Sequence, residues 1–475
     1  MTQVPHPVPE PSLSLVQALQ GQLHAKLLET HISWVLLDGQ WAWKIKKPVC
    51  LSFLDARELH TRRHWCEEEL RLNRRLAPDL YQDVVSIGGT PDHPIIQGGD
   101  PPIEFAVRMR QFEQADLLSQ RVQHHDIPLE DLDAFARKLV RFHAAAARAP
   151  EASEWGSPHL IEQATRGVLQ GLAPHLGDAV VADWSAWAET QAQSLRPHWQ
   201  ARRLSGRIVE GHGDLHLDNL LVWQGGIAAF DGIEFDPALR WIDAMSDVAF
   251  LVADLAAHDR PDLAFRFLNA YLDASGDHDG LPVLRYYLVY RCLVRALVHR
   301  LRPVREGGAP KPDYLRWAHH WRDPAPATLC IMHGLSGSGK TWASQQWLQT
   351  HQAIRLRSDV ERQRLFGTGA YTPVQTQHTY QRLWDLADLV LKSGWNTVID
   401  ATFLHRANRD QFRALAQRLG VTFGILHCDA PDAVLRERIQ SRRRGGLDAS
   451  EADEAVLNAQ LQHQESLGAD EQTFL

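Results

Sequence analysis

Apolar positions alternate with polar ones through ISWVLLDGQWAWKIKKP (Ile32 to Pro48), and this period of two around Asp38-Gly39 predicts two strands joined by a tight turn. The pattern then takes a helical period over about Asp55 to Leu76, Leu129 to Ala147 and Ile161 to Leu195. Strands early and helices later predict a two-lobed α+β unit. A second change comes between Pro303 and Pro326, where PVREGGAPKP and DPAPA flank a short helical stretch rich in Trp and His. Beyond it, TLCIMHG is a short apolar run ending in glycine, WASQQWLQTH has a helical pattern, and AIRLRSD and WNTVID read as further strands. That alternation predicts an α/β domain with a parallel sheet. The predicted layout is a Pro-containing segment and first helix over 1–30, a first domain over 31–310, a linker over 311–326 and a second domain over 327–475.

Composition narrows the class. The chain has 475 residues, 44% hydrophobic and 23% charged, so disorder and fibrous repeats are excluded and two to four folding units are expected. A formal net charge of -8 argues against coating of nucleic acid or of an anionic membrane. The longest apolar stretch, near Phe250 to Ala257, is broken by Asp254 and falls far short of the roughly 20 residues that span a bilayer. The opening MTQVPHPVPEPS has four prolines and no basic residue before an apolar core, unlike a secretion signal, so the cytoplasm is the expected compartment. The 5 cysteines are scattered without a C-x-x-C pair, as suits reduced core thiols.

Of the 50 basic residues only 8 are lysine, and four of those are Lys44, Lys46, Lys47 and Lys340. A compact ammonium directed at one phosphate is a role in which Arg does not replace Lys. Lys340 lies in Gly334-Leu335-Ser336-Gly337-Ser338-Gly339-Lys340-Thr341, which fits G-x-x-x-x-G-K-[ST] between a strand pattern and a helix pattern. Glycines there let backbone N–H groups wrap a phosphate, the helix N-terminus adds positive potential, Lys340 reaches the β- and γ-phosphates, and Thr341 holds Mg2+. Asp359 ends one predicted strand, where a carboxylate can take a hydroxyl proton, and Asp400 ends the other, where it can orient Mg2+ through water. RERIQSRRRGG supplies Arg438 and Arg442 on a helix suited to a lid over polyphosphate. Together GLSGSGKT, the S-D-x-x-R segment at Ser358 to Arg362, VIDATF and the lid arginines resemble the P-loop kinases of small hydroxyl compounds, such as gluconate and shikimate kinases, polynucleotide 5′-kinase and zeta toxins. The resemblance implies Asp359 as substrate-activating base and Arg438 and Arg442 as lid contacts.

The first domain holds a second set. His212-Gly213-Asp214-Leu215-His216-Leu217-Asp218-Asn219 fits H-x-D-x-x-x-x-N and leads through a strand, a turn and a strand to Asp231. Kinase chemistry needs a carboxylate beside the acceptor hydroxyl, an amide oxygen on the metal and a carboxylate bridging metal to phosphates, and Asp214, Asn219 and Asp231 supply these groups. The loop resembles that of the aminoglycoside phosphotransferases, the small-molecule branch of the protein-kinase fold, over about Ile32 to Leu255. That resemblance implies a protein-kinase-like fold, Asp214 as base, Asn219 and Asp231 on Mg2+, and a lysine paired to a helix glutamate. Alternation puts Lys44 and Lys46 on one face, leaving both open with Lys44 preferred. Glu69 is the acid in line with Trp65, Leu72 and Leu76, so it points inward and needs a cation. The first hairpin lacks G-x-G-x-x-G, and of the acids after Asp231, Asp243 and Asp247 are expected to brace helices.

The order of the two domains resembles the bifunctional aminoglycoside phosphotransferase/ATP-binding proteins of bacteria. The expected fold is thus an α+β protein-kinase-like two-lobed domain followed by an α/β P-loop NTPase domain with a parallel sheet. The expected activity is ATP- and Mg2+-dependent phosphoryl transfer to hydroxyl groups of small molecules at two nucleotide-binding centres, with no membrane partner. The alternatives are a nucleotide-binding regulatory protein with one degenerate centre and a nucleic-acid end kinase, the latter disfavoured by the net charge.

Overall fold

The computed structural model describes residues 9–51, 54–301, 312–368, 372–445 and 453–471, with the side chains of 51 and of 442–445 outside the described set. The chain folds into two compact units, Met1–Ser157 with Arg203–Asp247, and Pro158–Arg202 with Val248–Leu475.

In the first unit, the strands Lys26–Glu29, Ser33–Leu37, Trp41–Lys46, Glu104–Arg110, Tyr81–Thr90 and His93–Ile96 lie in that order in one antiparallel sheet. The Asp38-Gly39 turn forms because the Asp38 carboxylate accepts the N–H groups of Gln40 and Trp41 at 2.9 and 2.7 Å and the Trp43 indole N–H at 2.9 Å. One face buries Trp34, Leu36, Trp43 and Ile45 against Leu15, Val16 and Leu19 of the helix Glu10–Leu23. Strand alternation therefore turns Lys44 and Lys46 to the opposite face. The helix Leu59–Asn73 packs against the strand Glu104–Arg110 and buries Arg62, Cys66, Glu69 and Leu72 on one side. Further on, Ile208–Glu210 pairs with Trp241–Asp243, and Leu220–Trp223 pairs with Gly226–Ala229. These two short ribbons frame the loop from His212 to Asn219 and the start of the Asp231 turn.

The second unit contains a parallel sheet in the order Ala353–Arg357, Asn396–Asp400, Thr328–His333, Thr422–His427. The helices Lys340–His351, Pro373–Lys392 and Arg406–Leu419 follow its strands, so the crossovers bring Gly334, Ser358 and Ala401 to one end of the sheet. The helical pattern expected as one segment from Ile161 to Leu195 is two helices, Pro158–Leu176 and Asp178–Leu204, parted at Gly177. The apolar period runs on through Leu169, Leu172, Trp184 and Ala188, all buried, so the pattern alone does not reveal the break. The stretch 311–326, expected as a linker, includes the helix Tyr314–Arg322, which buries Tyr314, Trp317 and Trp321 within this unit. Trp321 lies 6.1 Å, between ring centres, from both Phe265 and Trp395. Among the described residues no helix is long and apolar enough to cross a membrane.

Candidate functional sites

In the first unit both lysines reach the same acid. Lys44 Nζ is 2.8 Å from Glu69 Oε1, and Lys46 Nζ is 2.5 Å from Glu69 Oε2. Each has a further partner: Lys44 bonds Asp231, and Lys46 bonds Glu234. The two lysines thus differ in their second acid. Lys46 and Glu234 are closed in, with side chains 2% and 4% exposed, whereas the Asp231 carboxylate is 44% exposed and opens outward. Burial alone would push Glu69 toward the neutral acid, but the two ammonium groups outweigh it and hold the carboxyl down at about 2. Burial likewise opposes the charge on Lys44, and Asp231 and Glu69 outweigh it and hold the amine well above its ordinary value.

Asp231 sits at φ 61°, in the left-handed region that Asp tolerates. Its N–H donates to the Tyr81 hydroxyl at 3.1 Å, and the next N–H, of Gly232, donates to Asn73 Oδ1 at 2.8 Å. Tyr81 and Asn73 are supports that the sequence pattern did not single out, because each looks like an ordinary buried side chain.

The loop that carries Asp214 hangs from Asp247. Its Oδ2 accepts the His212 N–H at 2.7 Å and its Oδ1 accepts the Gly213 N–H at 2.9 Å, with His143 Nε2 at 3.3 Å. Burial raises the Asp247 carboxyl, but the hydrogen bond and charge of His143, together with His212, bring it down to about 2. Asp247 therefore braces this loop rather than a helix. Asp243 accepts the Met245 N–H at 2.9 Å, an end-of-helix contact. Gly213 has φ 83°, and a Cβ there would come within 2.6 Å of the Leu239 carbonyl oxygen, so the loop requires glycine at this step. Asp214 Oδ2 accepts from Asn219 Nδ2 at 3.0 Å and lies 3.2 Å from His216 Nε2. Because His216 Nδ1 accepts the Asp218 N–H at 3.2 Å, the ring proton belongs on Nε2, where it donates to Asp214. The amide nitrogen of Asn219 is committed to Asp214, which leaves its oxygen for a cation. That oxygen and the Asp231 carboxylate are hard donors that fit Mg2+.

In the second unit the loop Gly334 to Thr341 joins the strand Thr328–His333 to the helix Lys340–His351. Gly337 has φ 86°, and a Cβ would lie 2.9 Å from the Leu435 carbonyl oxygen. Ser336, Gly337, Gly339, Lys340 and Thr341 line a cavity of 810 Å³, together with Asp359, Asp400 and Arg438. Gly334, Leu335 and Ser338 stand behind that surface. Leu335 is buried with Leu404, Leu435, Ile439 and Leu457 and anchors the loop by packing. Lys340 Nζ donates to the Leu335 carbonyl at 2.7 Å, and Arg438 Nη1 donates to the Gly337 carbonyl at 3.1 Å. Asp359 is held by Arg362 Nη1 at 2.8 Å. Asp400 Oδ2 is 3.8 Å from Arg357 Nε. The side chain of Arg442 lies outside the described residues. The Ser336 N–H donates to Gln460 Oε1 at 2.9 Å, a contact across 124 positions that no local pattern signals.

The loop fits a polyphosphate. Among the described residues Ser338 Oγ is buried without a hydrogen-bond partner, a donor that a phosphate oxygen would satisfy. Among the described residues no group of three or more His, Cys, Asp or Glu is placed to hold a metal by itself.

These two arrangements define a chain with two kinase-type domains, and phosphoryl transfer is the activity such domains support. A model of the phosphotransferase enzyme family matches residues 64–287, and a model of an AAA domain matches residues 329–467. The chain is 30% identical over 455 residues, 91% of its own length and 89% of theirs, to uncharacterized proteins of Mycobacterium tuberculosis and Mycobacterium bovis. It belongs with them to the family of bifunctional aminoglycoside phosphotransferase/ATP-binding proteins, in which a kinase-like domain precedes a P-loop kinase domain. Among solved structures, an ADP-bound aminoglycoside phosphotransferase is 13% identical, over 65% of this chain and 96% of that one, with a TM-score of 0.35. A sugar kinase of Janibacter sp. HTCC2649 is 23% identical, over 32% of this chain and 84% of that one, with a TM-score of 0.26.

Proposed function

We propose that the chain transfers phosphoryl groups from ATP to hydroxyl groups of small molecules, with Mg2+, at two nucleotide-binding centres. The single observation that carries this reading is the 810 Å³ cavity in which the glycine-rich loop, Lys340 and Thr341 face Asp359 and Asp400. In the second centre the loop amides, Lys340 and Arg438 hold phosphate oxygens, and Thr341 and Asp400 hold the cation. Asp359, oriented by Arg362, accepts the acceptor's hydroxyl proton as the oxygen bonds to the γ-phosphorus and the bond to the ADP oxygen breaks. In the first centre Lys44 faces the phosphates with Glu69 fixing it, Asn219 and Asp231 hold the cation, and Asp214 takes the proton while His216 and Asn219 orient its carboxylate. Mg2+ supplies charge neutralisation on the phosphates. The five cysteines are free thiols, which supports a reducing compartment such as the cytoplasm.

A second reading, in which the first centre binds nucleotide and regulates without transfer, is favoured by one feature. The hairpin that covers the phosphates in kinases has here only the Asp38-Gly39 turn and no glycine-rich loop. A nucleic-acid end kinase stands behind both, since the net charge of -8 opposes a polyanionic partner. The test is transfer from γ-labelled ATP to a library of hydroxyl metabolites by the full chain, Asp214→Ala and Lys340→Ala. Transfer lost in part in each variant supports two active centres. Transfer unaffected by Asp214→Ala supports the regulatory reading, and no transfer to any acceptor rejects the proposal.

A further inference from the structure

The cavity of the second centre has two chemically different walls. Its described lysine and arginine residues are Lys340, Arg362 and Arg438. Each is committed already: Lys340 to the Leu335 carbonyl, Arg438 to the Gly337 carbonyl, and Arg362 to Asp359. Two of the three sit at the phosphate loop, and the third is neutralised by the carboxylate beside it. The wall away from the loop is made by the helices Pro373–Lys392 and Arg406–Leu419, which present Thr376, Gln377, Asn408 and Gln411 to the cavity. These four side chains make no hydrogen bond within the described chain. Hydroxyls and primary amides both donate and accept, which is what a hydroxyl-bearing molecule needs from its neighbours. A carboxylate, phosphate or sulfate placed there meets no uncommitted lysine or arginine among the described residues, only the imidazoles of His405 and His463, which are cations only when protonated, and it faces Asp359 and Asp400 across the same space. Losing its water without a counter-charge is costly for an anion, whereas a neutral polyol exchanges water for amides at little loss.

We infer that the acceptor of the second centre is a neutral, hydroxyl-rich molecule, read by Gln377, Asn408, Gln411 and Thr376, and that carboxylated or phosphorylated molecules of the same skeleton are rejected. This rests on the phosphotransferase reading above and names the substrate class of that site. The test uses the full chain carrying Lys44→Met with Asp214→Ala, to remove nucleotide binding and transfer at the first centre, with ATP and Mg2+. The probes are matched neutral and anionic acceptors: glucose with gluconate and glucose 6-phosphate, glycerol with glycerate, and a nucleoside with its 5′-monophosphate. Acceptor-dependent ADP release and binding of each acceptor to the ATP-analogue complex are both measured.

The expected result is at least a tenfold preference in kcat/KM, or in affinity, for the neutral member of a pair. Gln377→Leu with Asn408→Leu should raise the acceptor KM about tenfold and leave the ATP KM unchanged. Both positions are on the cavity surface, and a matched thermal unfolding curve checks that the double variant folds. Preference for the anionic member, equal use of both, or no acceptor bound by a chain that still binds ATP would overturn the inference alone. Failure to bind ATP at all would instead overturn the phosphotransferase reading.

Discussion

Asn269 completes the hydrogen bonding of Arg355: its Oδ1 accepts the Arg355 N–H at 2.6 Å while its Nδ2 donates to the Ala353 carbonyl at 2.8 Å. Ala353–Arg357 is the edge strand of the parallel sheet, so one side-chain amide stands in for a missing strand. Asn269 lies on the helix Pro261–Ser275, inside the region matched by the phosphotransferase family, and Asp273 of the same helix is 3.5 Å from Arg355 Nη2 and 3.7 Å from Arg357 Nη1. A bare parallel edge is an aggregation hazard, and this helix covers it. Asn269→Leu should destabilise the full chain by about 2–4 kcal/mol, since two buried backbone groups lose their partners. Thermal unfolding checks it, and residues 327–475 expressed alone should be aggregation-prone by light scattering.

The two lysines should separate by phenotype. Lys46→Met leaves Glu234 buried and unpaired, so it should cost about 3–5 kcal/mol of stability in denaturant unfolding. Lys44→Met leaves the partly exposed Asp231 beside a shared Glu69, so it should cost less stability and more nucleotide affinity at the first centre. Equal effects of the two substitutions on both readouts would reject the assignment of Lys44 to the phosphates.

Acid sensitivity follows from Glu69. Its carboxyl lies at about 2 in the folded chain, below the ordinary 4.5, so its contribution is full above pH 4.5 and is lost as pH falls from there toward 2. The difference in melting temperature between the native chain and Glu69→Gln should therefore be largest at neutral pH and shrink through that window. A difference that stays constant from pH 6 to the most acid pH at which the chain still folds would contradict the ion-pair account.

On the proposed reading, His216, whose Nε2 lies 3.2 Å from Asp214 Oδ2, positions that carboxylate. His216→Gln retains a donor near the carboxylate, whereas His216→Phe removes it. Phe should lower transfer at the first centre by about tenfold to a hundredfold in kcat, the range over which an ill-held base loses efficiency, with KM little changed. Gln should restore part of it. Equal loss in both variants would assign His216 a packing role only.

Much of this was legible from residue patterns, and the reasons differ by element. The Asp38 turn, the strand carrying both lysines and the glycine-rich loop are local, each encoded within about ten residues, and local signals survive in a lone sequence. Helical periodicity placed Glu69 inside, where the structure buries it completely. What stayed hidden is non-local. The alternation of Lys44 and Lys46 could not distinguish them, because the difference lies in Asp231 and Glu234, nearly 190 residues away. Asp247 is expected from the sequence to brace a helix, yet its carboxylate holds the backbone of His212 and Gly213, 35 and 34 positions away in the chain. The segment 311–326 reads as a linker from its prolines, while the buried pair Trp317 and Trp321 ties it to the core.

The most direct test of two nucleotide centres is titration calorimetry of the full chain with a non-hydrolysable ATP analogue and Mg2+. Two equivalents should bind, one remaining in Lys340→Ala and one in Lys44→Met. A single equivalent that vanishes in Lys340→Ala and is untouched by Lys44→Met would contradict the account.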